Sequence, residues 1–176
     1  MTYRKVGVIG LGYVGLPLVD QLIKKNFDVV GFDIDSKKIN KITKLRKFKK
    51  ANLTFHYKDL KDRNFFIICV PTPINKKKRP DLGPLKLASK IVGKNLDLND
   101  IVVYESTVFP GCTEDICIPI LEKFSELKIN KDFFCGYSPE RINPEDKKHT
   151  LENIIKVTSG SNKYSSKIID EVYKKI

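Results

Sequence analysis

Apolar residues lie along this chain in short solid blocks, separated by stretches in which they recur at helical spacing. KVGVIG, from Lys5 to Gly10, is a run of β-formers ending in glycine, the pattern of a strand buried on both faces of a parallel sheet. Val14, Leu18, Leu22 and Ile23 then recur along one helix face, which predicts a helix from about Tyr13 to Lys25. Pro17 falls in its first turn, where backbone donors are mostly unpaired anyway. Asp28 to Asp33 restores the strand signal. Strand, turn, helix and strand thus follow one another within the span of one βαβ unit.

The alternation continues. Ser36 is placed to cap a helix reaching about Lys47 on the pattern Ile39, Ile42, Leu45, and Leu53 to His56 reads as a short strand. Phe65 to Val70, the most apolar run, reads as a central strand closed by Pro71 and Pro73, which cannot extend a ladder. After a polar loop from Asn75 to Pro84, a helix is expected over Leu85 to Leu96, a buried strand over Asp100 to Glu105, and a helix over Thr113 to Leu127 kinked by Pro119. Phe133 to Tyr137 and Ile154 to Thr158 are further strand candidates, with a surface loop, SPERINPEDKKHT, between them. Lys163 to Ile176 carries Ile168, Ile169, Val172, Tyr173 and Ile176 at helical spacing. Strands alternating with helices and no internal repeat point to a mostly parallel sheet covered on both faces.

Composition narrows the function classes. The 176 residues suffice for one domain with a real core, and 41% hydrophobic with 31% charged residues is ordinary for a folded chain. No apolar run reaches the roughly 18 to 20 residues that cross a bilayer, and the N-terminus enters a strand-like run at once, without the parts of a leader peptide. A cytoplasmic protein is expected. Cys69, Cys112, Cys117 and Cys135 form no CxxC pair, so thiols in a reducing compartment fit better than a disulfide framework, and no metal site is expected. The net charge of +12 comes mostly from lysine, without the interleaved aromatics of a stacking platform. That speaks for a solvated surface and an acidic ligand rather than a nucleic-acid partner.

The first chemical constellation is GLGYVG, with Gly10, Gly12 and Gly15 between the first strand and the first helix. The first glycine permits the tight turn, the second lets backbone approach a pyrophosphate, and the third allows close packing, while the helix N-terminus offers N–H groups and a positive dipole. Three glycines alone are often only a turn. Here Asp33 closes the second strand, eighteen residues past Gly15, where an acid accepts hydrogen bonds from the adenosine ribose and repels a 2′-phosphate. The fold class is therefore α/β, a Rossmann-type doubly wound sheet, with NAD as cofactor and Gly10, Gly12, Tyr13, Val14, Gly15, Asp33 and Lys38 around it. Lys37 and Lys38 leave a small opening for a phosphate.

The words VGVIGLGYVGLPL from Val6, GFDID from Gly31, CVPTP from Cys69, PDLGPL from Pro80, ESTVFPG from Glu105 and GYSPERINPED from Gly136 stand in one order. That order resembles the nucleotide-sugar 6-dehydrogenases, the family of UDP-glucose, UDP-N-acetylhexosamine and GDP-mannose dehydrogenases. The resemblance covers most of the chain and implies an NAD-binding domain over residues 1–176. It implies that the turn of Val70, Pro71, Thr72 and Pro73 lines the cofactor site, although from the residues alone this turn is equally a rigid strand exit. It implies that Ser106 and Thr107 lie by the nicotinamide, with Thr107 in a catalytic role beside the reacting sugar carbon; without it they read as a strand end. It places Glu140 at the active site, near the water that hydrolyses the acyl intermediate, and Arg141 beside the nucleotide sugar; from the residues alone Glu140 is equally an exposed loop acid and Arg141 a partner in an ion pair. The SPERINP form is closest to members acting on N-acetylated UDP-hexosamines or GDP-mannose.

Members of this family oxidise a sugar C6 alcohol to a carboxylate through a cysteine thioester, with two hydrides passed to NAD. The resemblance implies that this cysteine, the helical segment that would make a homodimer and the sugar-binding domain lie outside the words found here. None of the four cysteines stands in the Gly-x-Gly-Cys type of word, although Cys112 is placed where a helix N-terminus could mildly activate it. The chain alone is expected to hold NAD without turnover. Three readings stay open: the NAD-binding part of an enzyme making uronate precursors of a surface polysaccharide, a stand-alone NAD-binding or regulatory module, and a nucleic-acid binder using the basic surface.

Overall fold

The computed structural model describes residues 5–45, 48, 51–74, 78–139 and 156–176. Its strands are β1 Lys5–Ile9, β2 Asp28–Phe32, β3 Asn52–Thr54, β4 Phe65–Ile68, β5 Ile101–Tyr104, β6 Phe134–Tyr137 and β7 Ser159–Gly160. They form one sheet in the order β3-β2-β1-β4-β5-β6-β7. All neighbours pair in parallel except β6 and β7, which are antiparallel. The helices are α1 Gly15–Lys24, α2 Ser36–Ile42, α3 Gly83–Gly93, α4 Ile118–Ser125 and α5 Lys163–Tyr173. The chain turns one way from β1 to β2 and the other way when it returns to β4, so the strand order reverses between β1 and β4. That reversal opens a crevice at the carboxyl ends of the strands.

Each central strand serves two cores because its side chains alternate. Phe65 and Ile67 of β4, with Ile101 and Val103 of β5, pack with Leu18 and Leu22 of α1 and Ile169 and Val172 of α5. Phe66, Ile68, Val102 and Tyr104 point the other way, onto Leu85 and Val92 of α3 and Leu121 of α4. This is why β4 and β5 read as unbroken apolar runs, and why helices cover both faces of the sheet. Tyr104 keeps its hydroxyl satisfied within the second core by a 2.8 Å hydrogen bond with Ser89 Oγ.

Several local expectations are corrected. The side chain that caps α2 belongs to Asp35, which accepts from the Lys38 N–H at 3.1 Å; Ser36 is already the first helical residue. The helix stops at Ile42 rather than Lys47, with the last turn tightening through the Leu45 N–H to the Ile42 carbonyl. The helix expected over Thr113 to Leu127 is interrupted rather than regular: its backbone runs through a wide π-turn over Thr113–Cys117 into α4 at Ile118, so the irregularity lies immediately before Pro119. Of the strand expected over Ile154 to Thr158, residues 154 and 155 lie outside the described residues and 156–158 are irregular; among the described residues the pairing with β6 is made by Ser159–Gly160. α5 is fixed by a reciprocal capping box in which Asn162 and Ser165 bond each other's backbone N–H groups. No helix among the described residues is long and apolar enough to cross a membrane.

Candidate functional site

A cleft of about 500 Å³ runs across the carboxyl ends of β2, β1, β4 and β5. Its floor is the turn from β1 into α1. Gly10 has φ +93°, a left-handed backbone that side-chain-bearing residues rarely adopt, and a Cβ there would lie 3.0 Å from the Cys69 carbonyl. Gly15 meets the Gly10 carbonyl so closely that a Cβ would sit 1.9 Å from its oxygen, so only glycine lets helix and strand approach this far. At Gly12 a Cβ would meet nothing within 4 Å, and that open space faces the cleft. No side chain caps α1, and no acidic residue stands in its first turn. The helix dipole and the leading N–H groups are therefore directed at the space over Gly12, which is what a pyrophosphate requires.

One end of the cleft is set by Asp33. Its Oδ2 accepts from the Leu11 N–H at 2.9 Å and the Lys38 ammonium at 2.6 Å, and its Oδ1 from the Asp35 N–H at 3.1 Å. Burial alone would raise this carboxyl, but Lys38 and the two backbone donors outweigh it and hold the pKa below the usual value. A charged acid is thus fixed where ribose hydroxyls would need an acceptor. Beside it a mainly apolar slot of about 290 Å³ is formed by Ile34, Pro71, Leu87 and Ile91 among others.

At the other end, two turns are stitched together. Ser106 Oγ donates to the Val70 carbonyl at 2.6 Å, and Thr72 Oγ1 donates to the Thr107 carbonyl at 2.7 Å. Behind them Glu105, 1% exposed, receives the Tyr173 hydroxyl at 2.5 Å and lies 3.3 Å from the Lys156 ammonium. The Cys69 thiol is 3.9 Å from the same carboxylate.

Of the residues singled out from sequence, Gly10, Gly12, Tyr13, Val14, Asp33, Lys38, Val70, Pro71, Thr72, Ser106 and Thr107 border this one cleft. Gly15 stands behind the floor rather than on it. Glu140 and Arg141 lie outside the described residues. Pro73, in the same turn as Val70 to Thr72, borders the cleft too. Sequence reasoning passed over Cys69 and Glu105 as wall residues; the available signal was Glu105 itself, a carboxylate continuing an apolar strand, since a buried acid needs partners. Cys112 is not activated. It is fully buried, and burial pushes its thiol up, as it does Cys135 and, to about 12, Cys117.

Residues 4–48 and 43–176 match the model of the NAD binding domain of the UDP-glucose/GDP-mannose dehydrogenase family. The chain belongs to that family. Within the UDP-glucose/GDP-mannose dehydrogenases, it is 50% identical to the UDP-N-acetyl-D-glucosamine 6-dehydrogenase of Pseudomonas aeruginosa, over 100% of this chain and 44% of the relative. It is 49% identical to Protein CapL of Staphylococcus aureus, over 98% and 43%. Among solved structures, the UDP-D-ManNAc dehydrogenase of Pyrococcus horikoshii superposes with a TM-score of 0.87 at 31% identity, covering 97% of this chain and 44% of that one. The GDP-mannose dehydrogenase of Pseudomonas aeruginosa, solved as a ternary complex, gives 0.86 at 25% identity. The chain spans less than half the length of these family members, and the part matched is their NAD-binding domain. The fold is the Rossmann type expected from the glycine fingerprint, and NAD is the cofactor of this domain.

Proposed function

We propose that the chain is the cofactor-holding part of a nucleotide-sugar 6-dehydrogenase that converts the C6 alcohol of a UDP-N-acetylhexosamine to a uronate, a precursor for surface polysaccharide. The observation that carries the reading is the cleft itself: an open glycine floor under an uncapped helix N-terminus, with a charged acid at one end. Gly10, Gly12, Tyr13 and Val14 hold the pyrophosphate, Asp33 accepts the adenosine ribose hydroxyls, and the slot by Leu87 and Ile91 takes the adenine. Val70 to Thr72 and Ser106 to Thr107 border the nicotinamide, where Thr107 meets the reacting carbon. When bound, NAD supplies the hydride acceptor. Glu140 and Arg141 serve the sugar end. The substrate class is supported by the names of two relatives, UDP-N-acetyl-D-glucosamine 6-dehydrogenases at 50% identity. Turnover needs the further length that those relatives possess.

Cytoplasmic residence belongs to the same proposal and is supported by four cysteines that form no disulfide. A second reading, an NAD-binding module without turnover, draws on the burial of Cys112, Cys117 and Cys135, which keeps these thiols protonated and unreactive. Calorimetric titration with NAD, with NADP and the Asp33→Ala variant alongside, tests the site. Saturable NAD binding lost in the variant is expected; equal indifference to both nucleotides in the unaltered chain refutes it. Adding UDP-N-acetylglucosamine and following NADH absorbance separates the two readings once the remaining domains are supplied.

A further inference from the structure

Glu105 is a carboxylate in an unlikely place. It follows four fully buried or nearly buried residues of β5, is itself 1% exposed, and stands at the end of the cleft remote from Asp33. An isolated charge is not tolerated at such a position, and this one is met from two distant parts of the chain. The Tyr173 hydroxyl, on α5 and 68 residues away, donates to Oε1, and the Lys156 ammonium, on the segment entering β7, pairs with Oε2. Burial and the neighbouring Glu105 charge both keep the Tyr173 proton in place, so the hydroxyl has a proton to give to this carboxylate. The backbone N–H of Glu105 bonds the Ile68 carbonyl at 2.9 Å, so both ends of the residue are fixed.

The next two residues are Ser106 and Thr107, whose bonds to Val70 and from Thr72 join the two turns that wall this end of the cleft. Glu105 is joined to that wall through the backbone, where its own N–H and that of Ser106 both bond the Ile68 carbonyl. We propose that Glu105, clamped by Tyr173 and Lys156, is a positioning residue for the nicotinamide half of the cofactor, acting through the Ser106–Thr107 turn. This rests on the reading of the cleft as an NAD site. Under it, α5 and the β7 approach are more than a cover for the sheet: they set the geometry in which one half of the dinucleotide is held.

ADP-ribose carries the adenosine and pyrophosphate but no nicotinamide, so it probes the Asp33 end alone. The test is a paired titration of the purified chain with NAD and with ADP-ribose, for the unaltered protein, Glu105→Gln, Tyr173→Phe and Asp33→Ala, with thermal unfolding of each. Loss of one buried charge-assisted hydrogen bond is expected to weaken NAD about tenfold in Glu105→Gln and somewhat less in Tyr173→Phe, with ADP-ribose affinity unchanged. Asp33→Ala should lose both ligands. If Glu105→Gln fails to fold, Tyr173→Phe, which keeps the carboxylate and its lysine, must show the same selective loss by itself. Equal weakening of NAD and ADP-ribose, or no weakening of either, overturns the positioning role and leaves the NAD site intact. Failure of the unaltered chain to bind either nucleotide overturns the NAD site, and the positioning role with it.

Discussion

The hydroxyl of Thr72 donates across 2.7 Å to the backbone carbonyl of Thr107, joining residues 35 apart in sequence that sit on neighbouring strand exits. Neither turn has regular structure to hold its shape, so this bond, together with that from Ser106 Oγ to the Val70 carbonyl, sets the spacing between them. Thr72→Val keeps the volume and removes the donor. The bond is at the surface, where water can replace it, so thermal stability should change little. NAD affinity should fall about fivefold, equivalent to ~1 kcal/mol for one hydrogen bond, and calorimetry of the variant checks this.

Under the proposed reading of the cleft, Asp33 and Lys38 together decide which dinucleotide is accepted. The Lys38 ammonium is held at 2.6 Å by the carboxylate. Asp33→Ser removes the repulsion of a 2′-phosphate and releases that ammonium to meet it. NAD affinity is expected to drop and NADP affinity to rise, narrowing or reversing the preference; Asp33→Ser with Lys38→Ala should lose the NADP gain. Competitive titration of the two nucleotides reads the outcome.

The glycines of the floor should separate folding from binding. Gly15→Ala puts a Cβ 1.9 Å from the Gly10 carbonyl oxygen, between backbone atoms that cannot yield. It should lower the melting temperature sharply or prevent folding. Gly12→Ala meets nothing in the protein, so stability should stay within about 1 kcal/mol, the cost of a benign surface change. Its NAD binding should nonetheless be lost or severely weakened, because the methyl group occupies the space over the helix N-terminus.

Asp100 gives the fold a pH dependence of its own. It is 4% exposed, and burial pushes its carboxyl up to about 7 despite the Asp97 N–H bonded to it. A carboxyl raised in the folded state favours folding while protonated. That stability is present below the ordinary value of 3.8 and is lost as pH rises toward about 7. Its loss should contribute a slope of up to about 1.4 kcal/mol per pH unit. Asp100→Asn keeps an acceptor for the Asp97 N–H without the charge. It should raise the melting temperature at pH 8 and flatten its pH dependence between pH 5 and pH 7, as scanning calorimetry would show.

Thiol chemistry should single out Cys69. The other three cysteines are buried, whereas Cys69 is partly accessible on the cleft wall. N-ethylmaleimide should modify it alone in the native protein, with mass spectrometry of tryptic peptides as the readout, and bound NAD should slow the reaction.

Much of this was legible in the sequence because local patterns fixed it. The apolar blocks of β4 and β5, the helical stripe of α1 and the spacing from Gly10 to Asp33 each follow from periodicity and backbone sterics within one βαβ unit. What was not legible depends on long-range pairing. Nothing near Glu105 announces that Tyr173 and Lys156 will meet it, since those contacts exist only once α5 has docked. The cap of α2 moved from Ser36 to Asp35 because adjacent residues both suit the role and backbone angles decide between them. Lys156 to Thr158, expected in a strand, are irregular and the pairing falls on Ser159–Gly160 instead, because an apolar run shows which residues can pair and not where pairing begins.

The two flanks of the sheet carry a consequence for self-association. One ends in β3, three residues long, and the other in β7, two residues long and running against its neighbour. A flank must present several consecutive unpaired amide groups to recruit a strand from another molecule, and among the described residues these two edge strands are too short to do so. At high concentration the molecule should resist growing into continuous intermolecular β-structure, and any contact between copies has to be made through helix or loop surfaces.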